Sequence, residues 1–179
     1  MGLEQVQDQP QPTKGGQLEI PTEAVFKADF VRSIFDSFRG RFDSSTGEVH
    51  MRSMEDYQQR LKEIKRLILI GCGTSWHAGL VAEYLFEDLA RVPVEVEYAS
   101  EFRYRNPIIN KGDVVIAISQ SGETMDTLMA LRHAKEFGAR VLAVCNTNSS
   151  TIPRESDAVI YTHAGPEIAV ASTKALLTQ

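Results

Sequence analysis

Residues 66–75 read RLILIGCGTS and residues 114–124 read VVIAISQSGET, so the same layout occurs twice along the chain. In each stretch an apolar run is followed at once by glycine, serine and threonine. An uninterrupted apolar run is typical of a parallel strand that is covered on both faces. In parallel α/β sheets, ligands bind at the carboxyl ends of the strands, where the next helices begin. The two loops are therefore expected to line one pocket with hydroxyl and amide groups, which suits a phosphate monoester on a small polar molecule.

Strands alternate with helices around these two stretches. Short apolar or alternating segments predict strands over residues 67–70, 94–98, 113–118, 141–145 and 158–161. Apolar residues three or four positions apart predict helices over 75–90 and 123–137, the second of which ends at Gly138. The residues predicted to face the sheet are Ala78, Val81, Ala82, Leu85 and Leu89 in the first helix and Met125, Leu128 and Met129 in the second. This order predicts the α/β class, with a doubly wound, mostly parallel five-stranded sheet flanked by helices.

The chain is expected to have three parts. Residues 1–22 are rich in proline, glycine and glutamine, which predicts a disordered arm or a remnant of cloning. Residues 23–65 form a helical lead-in to the α/β domain, which occupies residues 66–179. The lead-in is predicted to contain helices over 23–38 and 54–64 and an extended segment over 47–51. We expect the α/β domain to be truncated, because a helix that begins near Ala171 has little room before the last residue.

The bulk composition argues against several classes of protein. The chain has 179 residues and a formal net charge of −5, and an acidic domain has no electrostatic reason to bind nucleic acid. The basic cluster at residues 102–105 is interpreted as a solvated surface or a subunit contact. No apolar stretch reaches the roughly 20 residues that span a bilayer, and the polar N-terminus lacks a signal peptide. The two cysteines, Cys72 and Cys145, lack the spacing of a zinc site or a redox pair. We therefore expect a cytoplasmic protein that binds neither membranes nor nucleic acid.

The glycine loop at 71–75 allows readings other than phosphate binding. Thr74 or Ser75 could simply cap the helix that follows. The two glycines match the first half of a dinucleotide fingerprint, but Trp76 stands where that motif needs a small residue. Cys72 is expected to be a packed thiol rather than a nucleophile, because no histidine stands at a spacing that would activate it.

Three titratable residues lie near the predicted loops. Glu123 would repel a phosphate, so it is expected to point away or to orient its loop. His77 and His163 could each reach the site, although a lone histidine is more often a satisfied polar group. A third candidate loop, residues 164–174, follows the last strand, and whether Lys174 serves the ligand or the helix surface stays open.

Four motifs in this order and spacing resemble a known family: GCGTS at 71–75, SQSGET at 119–124, CNTNSSTIPRESD at 145–157 and AGPEIAVASTKA at 164–175. They are similar to the sugar isomerase (SIS) fold and, within it, to the isomerase half of the glutamine–fructose-6-phosphate aminotransferases. The resemblance covers roughly residues 31–179. It implies an SIS-type sheet for residues 66–179, as the first of two sugar-binding subdomains. Enzymes of this family make glucosamine 6-phosphate from fructose 6-phosphate and glutamine with no metal or organic cofactor, so no cofactor is expected.

The resemblance also implies which residues bind the substrate. The implied phosphate ligands are Thr74, Ser75, Ser119, Gln120, Ser121 and Thr124, and the implied sugar contacts are Val170 and Ser172. Ala169 stands where the family has glycine. No residue matches a catalytic position of the family, whose base lies in the second subdomain. We therefore expect the chain to be part of an aminotransferase and to be inactive alone.

Two other functions remain open at this point. One is a non-catalytic SIS module that senses a phosphosugar, although no basic recognition helix of a regulator is evident. The other is a stand-alone phosphosugar isomerase, over which the long match at 164–175 favours the aminotransferase. No segment resembling the family's glutaminase domain precedes residue 31, and no second subdomain follows, so a fragment is expected.

The sequence predicts self-association. Surface that further parts of a domain would cover is expected to be apolar, and such patches drive association. We expect a homodimer or a larger species, with Phe26, Phe30, Ile34 and Phe38 as candidate contacts. Light scattering over a range of concentrations measures this, and a monomer at high concentration would contradict it.

Overall fold

The described part of the chain comprises residues 32–57, 61–167 and 171–179 of a computed structural model. The chain divides into two units, Met1–Arg32 and Ser33–Gln179, and the α/β fold belongs to the second. The predicted arm over 1–22 and most of the predicted helix over 23–38 lie outside the described residues. The end of that helix is present, since residues 33–38 are helical.

A five-stranded sheet forms the centre of the second unit, and every described strand pair in it is parallel. Its strands are β1 (Leu67–Gly71), β2 (Val94–Tyr98), β3 (Val114–Ser119), β4 (Arg140–Cys145) and β5 (Ala158–Tyr161). Their order across the sheet is β2-β1-β3-β4-β5. The chain therefore steps from β1 to one side, crosses back to the other side for β3, and continues outward. The sequence prediction of a five-stranded parallel sheet is confirmed.

Helices cover both faces of this sheet, as a doubly wound fold requires. They are α1 (Thr74–Leu85), α2 (Ala99–Tyr104), α3 (Met125–Glu136), α4 (Thr151–Glu155) and α5 (Lys174–Thr178), with a π-helical turn at Phe86–Ala90 and a 3-10 helix at Arg52–Tyr57. Ala82 of α1 packs with Leu67 and Leu69 on one face. Leu128 of α3 packs with Ile68 and Ile70 on the other face. Successive side chains of β1 thus point to opposite faces of the sheet, and they are buried on both.

The buried face of α1 differs from the predicted one. Val81, Leu85 and Leu89 are 62%, 55% and 77% exposed, and the α-helix ends at Leu85 rather than at residue 90. The buried residues of α1 are Ser75 and Gly79. A Cβ on Gly79 would lie 2.9 Å from Cγ1 of Val96, so the helix backbone approaches the sheet closely along its small residues. The prediction was right for Ala82, which packs on the sheet, and wrong for Val81, Leu85 and Leu89, because this contact requires small residues.

Two further predictions about burial need correction. Met125 is 62% exposed rather than facing the sheet, while Leu128 is buried as predicted and Met129 is partly buried. The basic cluster at 102–105 is not wholly a surface feature, because Phe102 is fully buried in the core. It lies on α2, a short helix that directly follows β2 and that the sequence pattern did not predict.

The lead-in is less regular than predicted. The expected extended segment over 47–51 forms a single antiparallel bridge between Phe42 and Val49. The predicted helix over 54–64 is described only in part: Arg52–Tyr57 forms a 3-10 helix, residues 58–60 lie outside the described residues, and residue 61 is helical whereas 62–64 are not. The predicted apolar side of this segment does pack on the sheet, through Tyr57, Leu61 and Ile64.

Gly79 generates a test of the close packing between α1 and β2. Alanine in place of a mid-helix glycine normally stabilises a helix by about 1 kcal/mol. Here we expect Gly79→Ala to lower the free energy of unfolding by about 1–3 kcal/mol, because its Cβ would overpack against Val96. Urea unfolding measures the change. Repeating the substitution in a Val96→Ala background supplies the control, since the loss should shrink there, and a stabilised single variant would contradict the packing.

Candidate functional site

The loops after β1 and β3 lie side by side at the carboxyl edge of the sheet, where the strand order reverses. Such a switch point is where open α/β sheets bind ligands. Helices α1 and α3 start from these loops on opposite faces of the sheet. In the described chain neither helix has a side-chain cap at its N-terminus, where the capping residues are Gly73 and Thr124. The reading of Thr74 or Ser75 as a simple cap is therefore wrong, and two sets of first-turn N–H groups remain available to an anion.

The loop after β3 is held in shape by its own hydroxyl groups. The backbone N–H of Gly122 donates to Oγ of Ser119 over 3.0 Å, and that oxygen lies 3.3 Å from Oγ1 of Thr124. The N–H of Glu123 donates to Oγ of Ser121 over 3.2 Å. Ser119 is buried, whereas Gln120, Ser121 and Thr124 are partly exposed. The buried hydroxyl of Ser119 thus holds the loop closed, and the side chains of Gln120, Ser121 and Thr124 remain partly accessible.

Gly122 and Glu123 tie this loop to α4. Gly122 has φ 68°, and a Cβ on it would lie 1.9 Å from Oγ of Ser150, so only glycine fits. Oε1 of Glu123 accepts hydrogen bonds from the N–H of Thr151 over 2.7 Å and from its hydroxyl over 3.1 Å. Glu123 therefore orients the loop, which confirms one of the two alternatives that the sequence left open for it.

The loop after β1 lies beside the loop after β3 at the carboxyl edge of the sheet. Ser75 is buried and Thr74 is partly exposed at the start of α1. The hydroxyl of Thr127 on α3 donates to Sγ of Cys72 over 3.7 Å, and Cys72 is partly buried against the core. The expectation of a packed loop thiol is thus confirmed, and the contact links the β1 loop to α3.

Glu167 closes the third predicted loop by hydrogen bonds to Thr173 and Ala175, and we call this set of hydrogen bonds the Glu167 bracket. The Glu167 carboxylate accepts hydrogen bonds from the N–H of Thr173 over 2.9 Å, from the hydroxyl of Thr173 over 3.0 Å and from the N–H of Ala175 over 2.8 Å. Burial by itself raises the pKa of Glu167, but these hydrogen bonds and Lys174 outweigh it, so the pKa lies below its ordinary value. Ser172 is partly exposed beside this bracket, while Val170 and Ala169 lie outside the described residues.

A cavity of about 320 Å³ opens at the carboxyl ends of β3, β4 and β5. Its lining residues are Gln120, Asn146, Thr147, Asn148, His163, Gly165 and Pro166. Of the predicted phosphate ligands this cavity includes Gln120 alone. The sequence analysis missed Asn146, although its place directly after a strand was the signal that identified Ser119.

Asn146 joins the loop after β4 to the loop after β5. Its Oδ1 accepts hydrogen bonds from the hydroxyl of Thr162 over 3.1 Å and from the N–H of Ala164 over 2.8 Å. Its Nδ2 donates to the carbonyl of Gly165 over 2.8 Å. The side chain of Asn146 therefore sets the shape of the cavity wall that carries His163.

Two general features of the described residues bear on the ligand. Within the described ranges no helix is both long enough and apolar enough to cross a membrane. The same residues contain no group of three or more His, Cys, Asp or Glu side chains arranged to hold a metal ion. The predicted phosphate site would thus depend on neutral donors and helix dipoles.

Comparison with known proteins agrees with this geometry. The profile of the SIS domain family matches residues 60–179. The chain belongs to the SIS family. This SIS chain is 57% identical over 166 residues to a glutamine–fructose-6-phosphate aminotransferase (isomerizing) of Chlorobaculum tepidum, an alignment that covers 93% of the chain and 27% of the relative. It is 59% identical over 152 residues to the Streptomyces coelicolor protein of the same name, covering 85% of the chain and 25% of that protein.

A solved structure shows the same likeness. The C-terminal domain of glucosamine-fructose-6-phosphate aminotransferase from Francisella tularensis superposes with a TM-score of 0.74 at 38% sequence identity. That match covers 84% of the SIS chain and 44% of the solved chain. The SIS chain spans about a quarter of the length of the curated relatives from C. tepidum and S. coelicolor.

The bracket at Glu167 generates a pH-dependent prediction. A carboxylate whose pKa is lowered by folding adds stability above its unfolded pKa and loses it as the pH falls through the folded value. We expect Glu167→Gln to speed hydrogen exchange at the amides of Thr173 and Ala175 at pH 7, with a local loss of about 1 kcal/mol. The difference from the parent protein should shrink as the pH falls through the lowered pKa of Glu167, because the carboxylate is then protonated.

NMR-detected exchange measures this effect. Glu48→Gln is the control, because the side chain of Glu48 is 67% exposed and lies on the lead-in. Equal protection of the Ala175 amide in the parent and in Glu167→Gln at pH 7 would contradict the bracket.

Proposed function

We propose that the chain binds a hexose 6-phosphate as the first sugar-binding subdomain of a glutamine–fructose-6-phosphate aminotransferase. The observation that carries this proposal is the meeting of two uncapped helix N-termini, those of α1 and α3, at the switch point between β1 and β3. Helix N-termini attract anions through their unpaired N–H groups and their dipoles. The names and the identities of the relatives support the choice of a sugar phosphate and of the aminotransferase reaction.

The phosphate would be held by neutral donors. The proposed ligands are Thr74, Ser75, Ser119, Gln120, Ser121 and Thr124, all at the start of α1 or in the loop before α3. Because Oγ of Ser119 accepts the N–H of Gly122, its own proton remains to be donated to Thr124 or to a phosphate oxygen. Hydrogen bonds to a charged group contribute roughly 1.5–3 kcal/mol each, so four or five suffice without a lysine or arginine.

The loop that precedes α5 would contact the sugar. We assign this role to Val170 and Ser172, of which Ser172 is partly exposed beside the Glu167 bracket. A phosphate at the switch point and a sugar against this loop would place the ligand across the carboxyl edge of the sheet. In this arrangement the loops after β1 and β3 would contact the phosphate, and the loop before α5 would contact the sugar of the same molecule.

The chemical step would need groups beyond those described. A base for aldose–ketose isomerisation must reach a proton on the sugar carbon. Glu123 and Glu167 are each engaged in hydrogen bonds that fix loops, so neither carboxylate is poised to act as that base. We therefore propose that this chain contributes binding and orientation to the enzyme, and that alone it does not turn over fructose 6-phosphate.

We further propose a cytoplasmic protein that assembles as a homodimer or a larger species and does not bind nucleic acid. The free thiols of Cys72 and Cys145 fit a reducing compartment. Of the predicted contacts, Phe38 is 60% exposed and Ile34 is half-buried, while Phe26 and Phe30 lie outside the described residues. The acidic net charge of −5 opposes attraction to a phosphate backbone.

Ligand-dependent stabilisation tests the binding proposal. Fructose 6-phosphate or glucosamine 6-phosphate should raise the thermal midpoint by mass action, and unphosphorylated fructose should have little effect. Ser121→Ala and Thr124→Ala should each weaken binding of fructose 6-phosphate about tenfold, the equivalent of about 1.4 kcal/mol. Ser45→Ala is the matched control, because Ser45 lies in an exposed turn of the lead-in. Equal shifts from fructose and fructose 6-phosphate would overturn the phosphate assignment.

A further inference from the structure

His163 has a backbone conformation that residues other than glycine adopt uncommonly. Its φ is 54°, in the left-handed region that favours glycine. His163 itself is exposed, but its loop is anchored on both sides, since the neighbours Thr162 and Ala164 are only 1% and 2% exposed. Such outliers persist where the surrounding structure enforces them, and they cluster at functional sites.

The surroundings that enforce this conformation belong to the cavity wall. Oδ1 of Asn146 binds both neighbours of His163, through the hydroxyl of Thr162 and the N–H of Ala164. The N–H of Thr162 also donates to the carbonyl of Cys145 over 2.9 Å. With both neighbours held inside, the chain turns His163 outward, where its side chain lines the cavity together with Gln120 and Asn148.

The imidazole of His163 does not stabilise the fold in any way that the described residues show. Among them it has no hydrogen bond and no ion pair, and its ring contact is with Tyr161 at 6.3 Å between centroids. A side chain that adds strain without a polar partner is a poor choice for stability, because glycine or asparagine adopts this conformation more easily. The residue is better explained by a contact with a bound ligand.

The chemistry of the cavity indicates what that ligand presents. Apart from Asn146, which joins the two loops, the other lining side chains with polar groups are Gln120, Thr147 and Asn148, which offer donors and acceptors without charge. Imidazole adds one donor and one acceptor in its neutral form. Paired donors and acceptors without charge match the hydroxyl groups of a sugar, and the nearby charge of Lys174, whose Nζ would lie 3.9 Å from a Cβ on Gly165, is not among the lining groups.

We propose that the exposed imidazole of His163 is a ligand contact that hydrogen-bonds the sugar hydroxyl groups, while the loops after β1 and β3 hold the phosphate. This inference rests on the proposed function. Gln120 connects the two halves, because it belongs to the phosphate set and also lines the cavity beside His163. The sugar of the bound ligand then extends from the switch point along the carboxyl ends of β4 and β5.

Two substitutions separate the imidazole from the backbone strain. His163→Asn keeps a residue that tolerates the left-handed conformation, and His163→Gly removes the strain as well as the side chain. Calorimetric titration of the 179-residue chain with fructose 6-phosphate and with inorganic phosphate gives the affinities. We expect both variants to bind fructose 6-phosphate about tenfold more weakly and inorganic phosphate within about twofold of the parent. His163→Gly should also raise the thermal midpoint of the free protein by about 2–4 °C. His50→Asn, in the exposed lead-in, is the control and should change none of these values.

Each outcome of this experiment has one meaning. If the parent protein binds neither probe, the proposed function fails and the inference fails with it. If the parent binds fructose 6-phosphate and both variants bind it within twofold, the proposed function stands and the role of His163 is overturned. If the variants lose affinity for inorganic phosphate as much as for the sugar phosphate, His163 contacts the phosphate, which also overturns the sugar assignment.

Discussion

The parallel pairing of β1 with β3 is the interaction on which the rest of the site depends. Its register sets Gly71 opposite Ile118, so the glycine loop and the serine loop begin next to each other. A Cβ on Gly71 would lie 3.1 Å from the backbone nitrogen of Trp76 and 3.3 Å from the carbonyl of Ile118. The close approach of these backbones therefore needs glycine. Because the loops are adjacent, α1 and α3 then start at the same edge of the sheet from opposite faces.

Polar side chains directly after the strands give the site its shape before any ligand binds. Ser119 closes the loop after β3, and Asn146 joins the loops after β4 and β5. Glu123 then fastens the loop after β3 to α4, and Glu167 fastens the loop after β5 to α5. Carboxylates that orient loops in this way lower the entropy lost on binding, because the donors are already in place.

The helices were harder to predict than the strands for a physical reason. A strand buried on both faces must be apolar along its whole length, so its sequence leaves few alternatives. A helix can be buried through small residues when it lies close to the sheet, as α1 is through Ser75 and Gly79. Its larger apolar residues, such as Leu85 and Leu89, then remain on the surface. The short helix α2 was missed because its one large buried residue, Phe102, stands between Glu101 and Arg103, and its other buried residue is the small Ala99.

From the sequence alone followed the parallel five-stranded sheet and the polar loops after β1 and β3, since both depend on residues that are neighbours in the chain. Tertiary structure decided which side chains of those loops are exposed and which are engaged in hydrogen bonds within the protein. Cys72 meets Thr127 across 55 positions, Glu123 meets Thr151 across 28, and Asn146 meets Ala164 across 18. Contacts of such separation have no local signature, because they arise only after the strands have paired and brought their ends together. The strained backbone of His163 is of the same origin, since it is enforced by Asn146 from a different strand end.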